Sequence, residues 1–258
     1  MRFADDLRSW RLRRKISQID LALRAGTTQR HLSFIESGRS TPGRGMVIRL
    51  AESLDVPLRE RNLLLLSAGY APAYPETPWD DHRLTPIRAA VDQILHAHNP
   101  YPAIVVNRHG NLISANNAFH SLTSAAAPDL LKPPTNIPRL LLHPTGLAPA
   151  ITNLPEWSWH VIDALSTQAA RAPDPELDAL IAELMSYAPA RPSTSSLGFA
   201  TPLHLRTTSG DLHLLTTLTH FATAVDVTVA ELRLEAFLPA DEPTATLLRR
   251  SASNRGVW

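Results

Sequence analysis

The chain has 258 residues, 44% of them hydrophobic, with 25 basic and 24 acidic side chains, a formal net charge of +1 and no cysteine. That length suits one large domain or two ordinary ones. The missing cysteine excludes disulfide frameworks, thiol catalysis and cysteine-based metal sites, and no run approaches the roughly 20 apolar residues that a membrane-spanning helix needs.

The first residues, MRFADDLRSWRLRR, lack the apolar core of a signal peptide, so a cytoplasmic protein is expected. The near-zero net charge hides an asymmetry. Residues 1–70 carry 13 basic and 7 acidic side chains, and the remainder carries 12 and 17. The positive excess sits in the first quarter of the chain, the footprint of a segment that binds phosphate.

Residues 3–15 read as a first helix, with Phe3, Leu7 and Trp10 along one side. The stretch SQIDLALRAGTTQRHLSFIESG, residues 17–38, then reads as two short helices broken by a tight turn. Gln18, Leu21, Ala22 and Ala25 fall at i, i+3, i+4 and i+7. Gly26 can take the positive φ that ends the first of these helices. Thr27 is the expected N-cap of the second, because its hydroxyl can accept an orphan backbone N–H. Thr28, Leu32 and Ile35 form the expected inner face of that helix, leaving Gln29, Arg30, Ser33 and Phe34 outside. A short helix with Gln and Arg on its first outer turn suits the major groove, where such side chains pair with adenine or guanine edges.

This stretch resembles the Xre/Cro type of helix-turn-helix, whose pattern runs Q-x-x-L-A-x-x-A-G and then L-S-x-x-E-x-G-x-x-x-P. Here it is carried by Gln18, Leu21, Ala22, Ala25, Gly26, Leu32, Ser33, Glu36, Gly38 and Pro42. The resemblance implies double-stranded operator DNA as partner and a homodimer on a pseudo-palindromic site. Gln29 and Arg30 are the expected base readers. Gln18, Thr27 and Thr28 are expected at phosphate or the groove wall, and Arg39 and Arg44 at phosphate. Phe34 either meets a thymine methyl or packs on a neighbouring helix. The resemblance also pairs Arg11 with Glu36, tying the first helix to the reading helix.

A fourth helix is expected over 43–54, with Val47, Leu50, Ala51 and Leu54 on one face. A fifth starts at Pro57, carries Leu58, Asn62, Leu65 and Leu66, and stops at Gly69. Residues 1–70 thus read as an all-α, five-helix DNA-binding domain. Residues 71–83, APAYPETPWDDHR, hold three prolines and read as a linker or a strapped connection.

From residue 84 to about 240 the pattern changes. A helix over 85–98 precedes two short strands, Ala103–Val106 and Leu112–Ala115, joined by a turn at 107–110. Asn116-Asn117 can cap the next helix. The middle, 128–190, is helical and interrupted by prolines, with amphipathic stretches at 137–142, 156–171 and 175–187. Between 198 and 238 the period becomes 2. Leu203/Leu205, Leu212–Phe221 and Val227–Phe237 read as strands, and Leu232-Arg233-Leu234-Glu235-Ala236 as a clean in–out alternation. Five antiparallel strands with flanking helices make the fold class α+β. Residues 241–258 read as a polar, frayed tail.

The strand–turn–strand–Asn–helix order is similar to the opening of a PAS-type sensor. The whole chain resembles the MmyB-like transcription regulators through RHLSFIESGRSTP, DVPLRERNLLLLSAGYAP, NIPRLLLHPTGLAPAITNLPEW and DVTVAELRLEAFLPAD. That resemblance implies a regulator tuned by a small molecule, with a fatty-acid-like ligand as one possibility. In the third of these stretches Arg139, His143, Asn153, Trp157 and His160 either line a ligand pocket, with Arg139 or His143 on a carboxylate, or cap helices and satisfy buried backbone. No cofactor is expected. His96 and His98 diverge on a helix, and His204, His213 and His220 lack an acidic partner at ligand spacing, so no metal is expected either. No nucleophile elbow, P-loop, dinucleotide fingerprint or HExxH is present, which makes an enzyme the weakest reading. The rival to small-molecule sensing is an antitoxin-like repressor whose second domain binds a protein.

Overall fold

The computed structural model describes residues 3–193 and 200–253, and these fall into two compact units. The first comprises residues 1–78 together with 223–230, and the second 79–222 with 231–258. The chain therefore enters the first unit twice.

Five helices build the first unit: α1 Phe3–Arg13, α2 Gln18–Arg24, α3 Gln29–Glu36, α4 Arg44–Ser53 and α5 Leu58–Ser67. Leu7, Leu21, Leu32, Ile35, Leu50 and Leu54 are fully buried at its centre. Ser17 caps α2 by accepting the Asp20 N–H, and Gly26, at φ 63°, turns the chain after it. The cap of α3 falls one residue later than expected. Thr28, not Thr27, accepts the backbone N–H of His31, while the Thr27 hydroxyl bonds the His31 ring at 2.9 Å. Thr28 is consequently exposed rather than on the inner face. In α5 the buried leucines are Leu64 and Leu65, with Leu66 53% exposed. Asn62 instead holds the strap that follows. Its Oδ1 accepts the N–H groups of Ala73 and Tyr74, and its Nδ2 donates to the Tyr74 carbonyl.

Residues 227–230 correct the strand expected over Val227–Phe237. They form a single helical turn, because Asp226 Oδ1 accepts the N–H groups of Thr228 and Val229 and caps it. Asp226 Oδ2 also accepts the Thr77 N–H, and Val227 N–H donates to the Pro75 carbonyl at 2.8 Å. In chain order this turn is the eleventh α-helix, α11 Val227–Ala230.

The second unit contains α6 Thr85–Ala97, β1 Ala103–Val106, β2 Leu112–Ala115, α7 Asn117–Thr123, α8 Ile137–Leu142, α9 Leu154–Arg171, α10 Pro175–Tyr187, β3 Leu203–Thr207, β4 Gly210–His220, β5 Arg233–Pro239 and α12 Glu242–Ser253. Its sheet is antiparallel throughout, in the order β2-β1-β5-β4-β3. The strand pair β1–β2 was expected from the apolar run on each side of a turn. Asn116 fixes its end, accepting from Ala103 and Phe119 and donating to the Leu95 and Tyr101 carbonyls.

Both faces of the sheet are covered. Ile104, Val106, Leu205, Leu212, Leu214 and Phe237 join residues of α7 to α10 in the larger apolar cluster. Ala103, Val105, Leu234 and Ala236 join Val91 and Leu95 of α6 in a smaller one. The alternation in β5 therefore does not separate core from solvent. Arg233 pairs with Val106 and Glu235 with Ile104, so both charges lie on the face of the larger cluster.

The frayed tail expected from Asp241 is corrected over its described part. Residues 242–253 are helical, with Thr244, Ala245 and Leu248 buried. Asp241 caps this helix through the Thr244 N–H, and the Thr244 hydroxyl accepts the His213 N–H. Residues 254–258 lie outside the described residues. Among the described residues, no helix is long and apolar enough to cross a membrane.

Candidate nucleic-acid interface and ligand cleft

A buried ion pair anchors the end of α3. Arg11 on α1 meets Glu36 at the end of α3 through two bonds, Nε–Oε1 at 2.7 Å and Nη2–Oε2 at 2.8 Å. The side chains are 10% and 3% exposed. A third bond comes from Gln18 Nε2 to Glu36 Oε2, at 2.7 Å. The Glu36 carboxylate thus gathers α1, α2 and α3 at one point, in the bidentate geometry that makes guanidinium–carboxylate pairs strong. The hydrogen bond that Arg11 donates to Glu36 raises the Arg11 pKa and outweighs burial, which lowers it. Gln18, expected at phosphate, spends an amide N–H inside this network.

The opposite end of α3 is open. Thr28, Gln29 and Arg30 are exposed, and Thr27 is partly so. Phe34, one turn on, is half-buried and carries a guanidinium on its ring from each side of the sequence. Arg30 lies 5.6 Å and Arg39 5.8 Å from its centroid. Neither role expected for Phe34 includes this one: the ring orients two cations. Arg39 and Arg44 are exposed, Arg44 as the first residue of α4 behind the cap residue Gly43. Gln29, Arg30, Arg39 and Arg44 are thus all solvent-facing donors, with Arg30 and Arg39 gathered on the Phe34 ring.

The five polar residues expected to form a ligand pocket do not converge. Arg139 forms a two-bond pair with Glu183, Nη2–Oε2 at 2.6 Å, and Glu183 also accepts from the Tyr187 hydroxyl. The His143 ring meets Tyr187 edge-on at 4.9 Å and accepts from the Thr145 N–H. Arg139 is the first cause of the depressed Glu183 pKa, and burial the first cause of the raised Tyr187 pKa. Asn153 ties α9 to β3, donating to the Pro202 carbonyl and accepting the His204 N–H. Trp157 is 3% exposed and packs in the larger cluster, with His160 tilted beside it. These residues brace α8, α9 and α10.

A cleft of about 330 Å³ opens elsewhere in the same unit. Leu122, Leu147, Leu205, Leu212, Leu247 and Leu248 give it apolar walls, and Asn99, Arg206 and Ser251 polar points. Its size reaches the range of small-molecule sites. None of the five expected residues lines it. The misread element is α12, which supplies Leu247, Leu248 and Ser251. The signal available in the sequence was its apolar stripe Ala245–Leu248.

A helix-turn-helix joined to a sheet-and-helix body with a ligand-sized cleft defines a two-part class, a DNA-binding head with a sensor body. Residues 7–61 match the helix-turn-helix family model, and residues 87–250 match the MmyB-like transcription regulator ligand binding domain. The second match spans well over half of the chain, which belongs to that family. A relative from Sinorhizobium fredii (strain NBRC 101917 / NGR234), "Uncharacterized HTH-type transcriptional regulator y4dL", is 42% identical over 52 residues. The match covers 20% of this chain and 26% of that relative, so the chain spans about a quarter of the protein it matches. Among solved structures, "Structure of an RNA-binding Light-Oxygen-Voltage Receptor" aligns with 96% of this chain and 62% of its own at 15% identity. Its TM-score is 0.29.

Proposed function

We propose that the protein is a sequence-specific DNA-binding transcriptional regulator. It acts as a homodimer on a pseudo-palindromic operator and is tuned by a small, largely apolar or fatty-acid-like effector. Gln29 and Arg30 read base edges in the major groove, and Arg39 and Arg44 contact phosphates. Thr27 and Thr28 face the groove wall, and Gln18 sets the height of α3 through Glu36. The observation that carries this reading is the asymmetry of α3. One end is clamped by the buried Arg11–Glu36–Gln18 network, and the other presents exposed Gln29 and Arg30.

The effector occupies the 330 Å³ cleft of the second unit. Its leucine-lined walls favour a small apolar molecule over a protein partner, which needs a wider surface. An effector that binds two dimer arrangements unequally shifts operator affinity by the same coupling energy. The strap around Asn62 and the second entry of the chain at 223–230 are the covalent routes for that coupling.

Selection of binding sites from random duplexes with the full chain tests this reading. The expected result is enrichment of a two-fold symmetric sequence. The gel shift on that duplex should then change by about fivefold to 150-fold when a saturating fatty acid is added. No enrichment over many rounds sinks the DNA reading, and unchanged affinity under saturating effector sinks the tuning.

A further inference from the structure

Arg30 and Arg39 are held in place without being neutralised. Their Cζ atoms lie 5.6 and 5.8 Å from the centre of the Phe34 ring, inside the roughly 6 Å over which a ring face attracts a cation. Two features of Phe34 bring them there. Arg30 and Phe34 stand four residues apart on α3, so their side chains share one face of the helix. The Phe34 carbonyl accepts the N–H groups of Arg39 at 2.8 Å and Ser40 at 3.1 Å, and Gly38, at φ 73°, turns the chain back towards it. One residue thus draws in a cation from before it and a cation from after it.

Among the described residues, neither Arg30 nor Arg39 has an acidic partner. Arg11 is the contrast, since its pair with Glu36 uses Nε and Nη2. A ring face takes up no N–H group, so each guanidinium keeps its donors and its full charge for an outside acceptor. Phe34 is half-buried while Arg30 and Arg39 are exposed, so those donors meet solvent. A free arginine loses rotamer freedom when it docks, which weakens binding by about twofold to twelvefold for each side chain. A ring that orders the arginine beforehand removes part of that loss.

We propose that Phe34 is a positioning residue that sets operator specificity. Its ring orders Arg30 for a base edge and Arg39 for a phosphate, and does not itself touch the duplex. This rests on the reading of α3 as the DNA-reading helix and extends it to a side chain with no hydrogen bond to offer.

The test compares the native full chain with Phe34→Leu, which stays apolar but loses the ring, and Phe34→Tyr, which keeps the ring. Fluorescence anisotropy is read on the selected operator and on its single-base-pair variants. Phe34→Leu should bind the operator about fivefold to 20-fold more weakly, the cost of ordering two side chains. Discrimination should fall at the base pair that Arg30→Ala also relaxes and hold at the others. Phe34→Tyr should stay within about twofold of the native chain. With Arg30→Ala and Arg39→Ala already in place, Phe34→Leu should cost less than about twofold. A loss of folded protein cannot imitate this pattern, because it lowers binding to every duplex alike. Without DNA, the δ-proton resonances of Arg30 and Arg39 should lie upfield in the native chain, shielded by the ring, and return to ordinary positions in Phe34→Leu. Undiminished binding by Phe34→Leu, an equal loss when both arginines are absent, or arginine protons that ignore the ring would each overturn the proposal. The second of these would put the ring itself against the DNA. A native chain that selects no duplex overturns the reading of α3 and this proposal together, whereas any of the three results on a selected operator overturns this proposal alone.

Discussion

Arg11 shows how far one side chain governs the head. Its guanidinium is bonded to Glu36 and to the Ile16 carbonyl, so α1, the turn after it and α3 share one anchor. Removing it strands a carboxylate that is 3% exposed. Arg11→Ala should cost about 3–5 kcal/mol of stability. Adding Glu36→Gln to that variant should recover part of the loss. Chemical denaturation of the four proteins of the double-mutant cycle measures this, and additive costs would mean that the pair is not coupled. Gly110 is a second test at this scale. It sits at φ 78°, and an added Cβ would lie 2.8 Å from Pro138 Cδ. Gly110→Ala combines left-handed strain with overpacking, for a loss of about 2–4 kcal/mol. A melting temperature equal to that of the native chain would show that the turn relaxes freely. The sequence shows that Gly110 turns the chain, but not that Pro138 lies across from it.

Among the elements, α12 was the hardest to anticipate and has the clearest pH signature. The Asp241 carboxyl is lowered from 3.8 to about 2, first by its bonds from Thr244 and then by His213. A depressed folded pKa means that this contribution is complete above the unfolded value and is lost as pH falls through the folded one. Protection of α12 amides in hydrogen exchange should therefore decline between about pH 4 and pH 2. In Asp241→Asn that decline should be absent. Equal pH profiles for the two proteins would remove Asp241 from the cap.

Elements with local signals were legible in the sequence. The turn at Gly26, the Pro57 start and the Asn116 cap are each set by one or two adjacent residues. What escaped depended on distant packing. Val227–Ala230 has the β-branched composition of a strand, yet Asp226 caps it into a helical turn beside Pro75 and Thr77. The β5 alternation has a strand's period, but α6 covers one face and the larger cluster the other, so its polar members do not mark solvent. The five polar residues of 139–160 have the chemistry of a pocket. Their partners, Glu183, Tyr187 and Pro202, come from 44 or more residues further along the chain for Arg139, Tyr187 counterparts of His143, and Asn153, which no local pattern reveals.

For the molecule as a whole, the positive excess of residues 1–70 and the exposed end of α3 set the expected behaviour on DNA. In the homodimer proposed above, the two copies of α3 would lie about 34–36 Å apart, so half-sites should repeat at about 10–10.5 base pairs. Inserting five base pairs between them should abolish cooperative binding, and insertion of ten should restore much of it. Affinity should fall steeply with salt, by a logarithmic slope of about −0.9 for each phosphate contacted. Arg44→Ala should lower that slope by about one. An unchanged slope would take Arg44 out of the phosphate contacts.

Arg30 gives the most direct test of base reading by the open end of α3. Binding of the native chain and of Arg30→Ala is measured by fluorescence anisotropy on the selected operator and on every single-base-pair variant of one half-site. The loss on the operator should be about 1–3 kcal/mol, with discrimination relaxed at one base pair and retained at the others. Equal loss on every sequence would contradict the account, because Arg30 would then touch only the phosphate backbone.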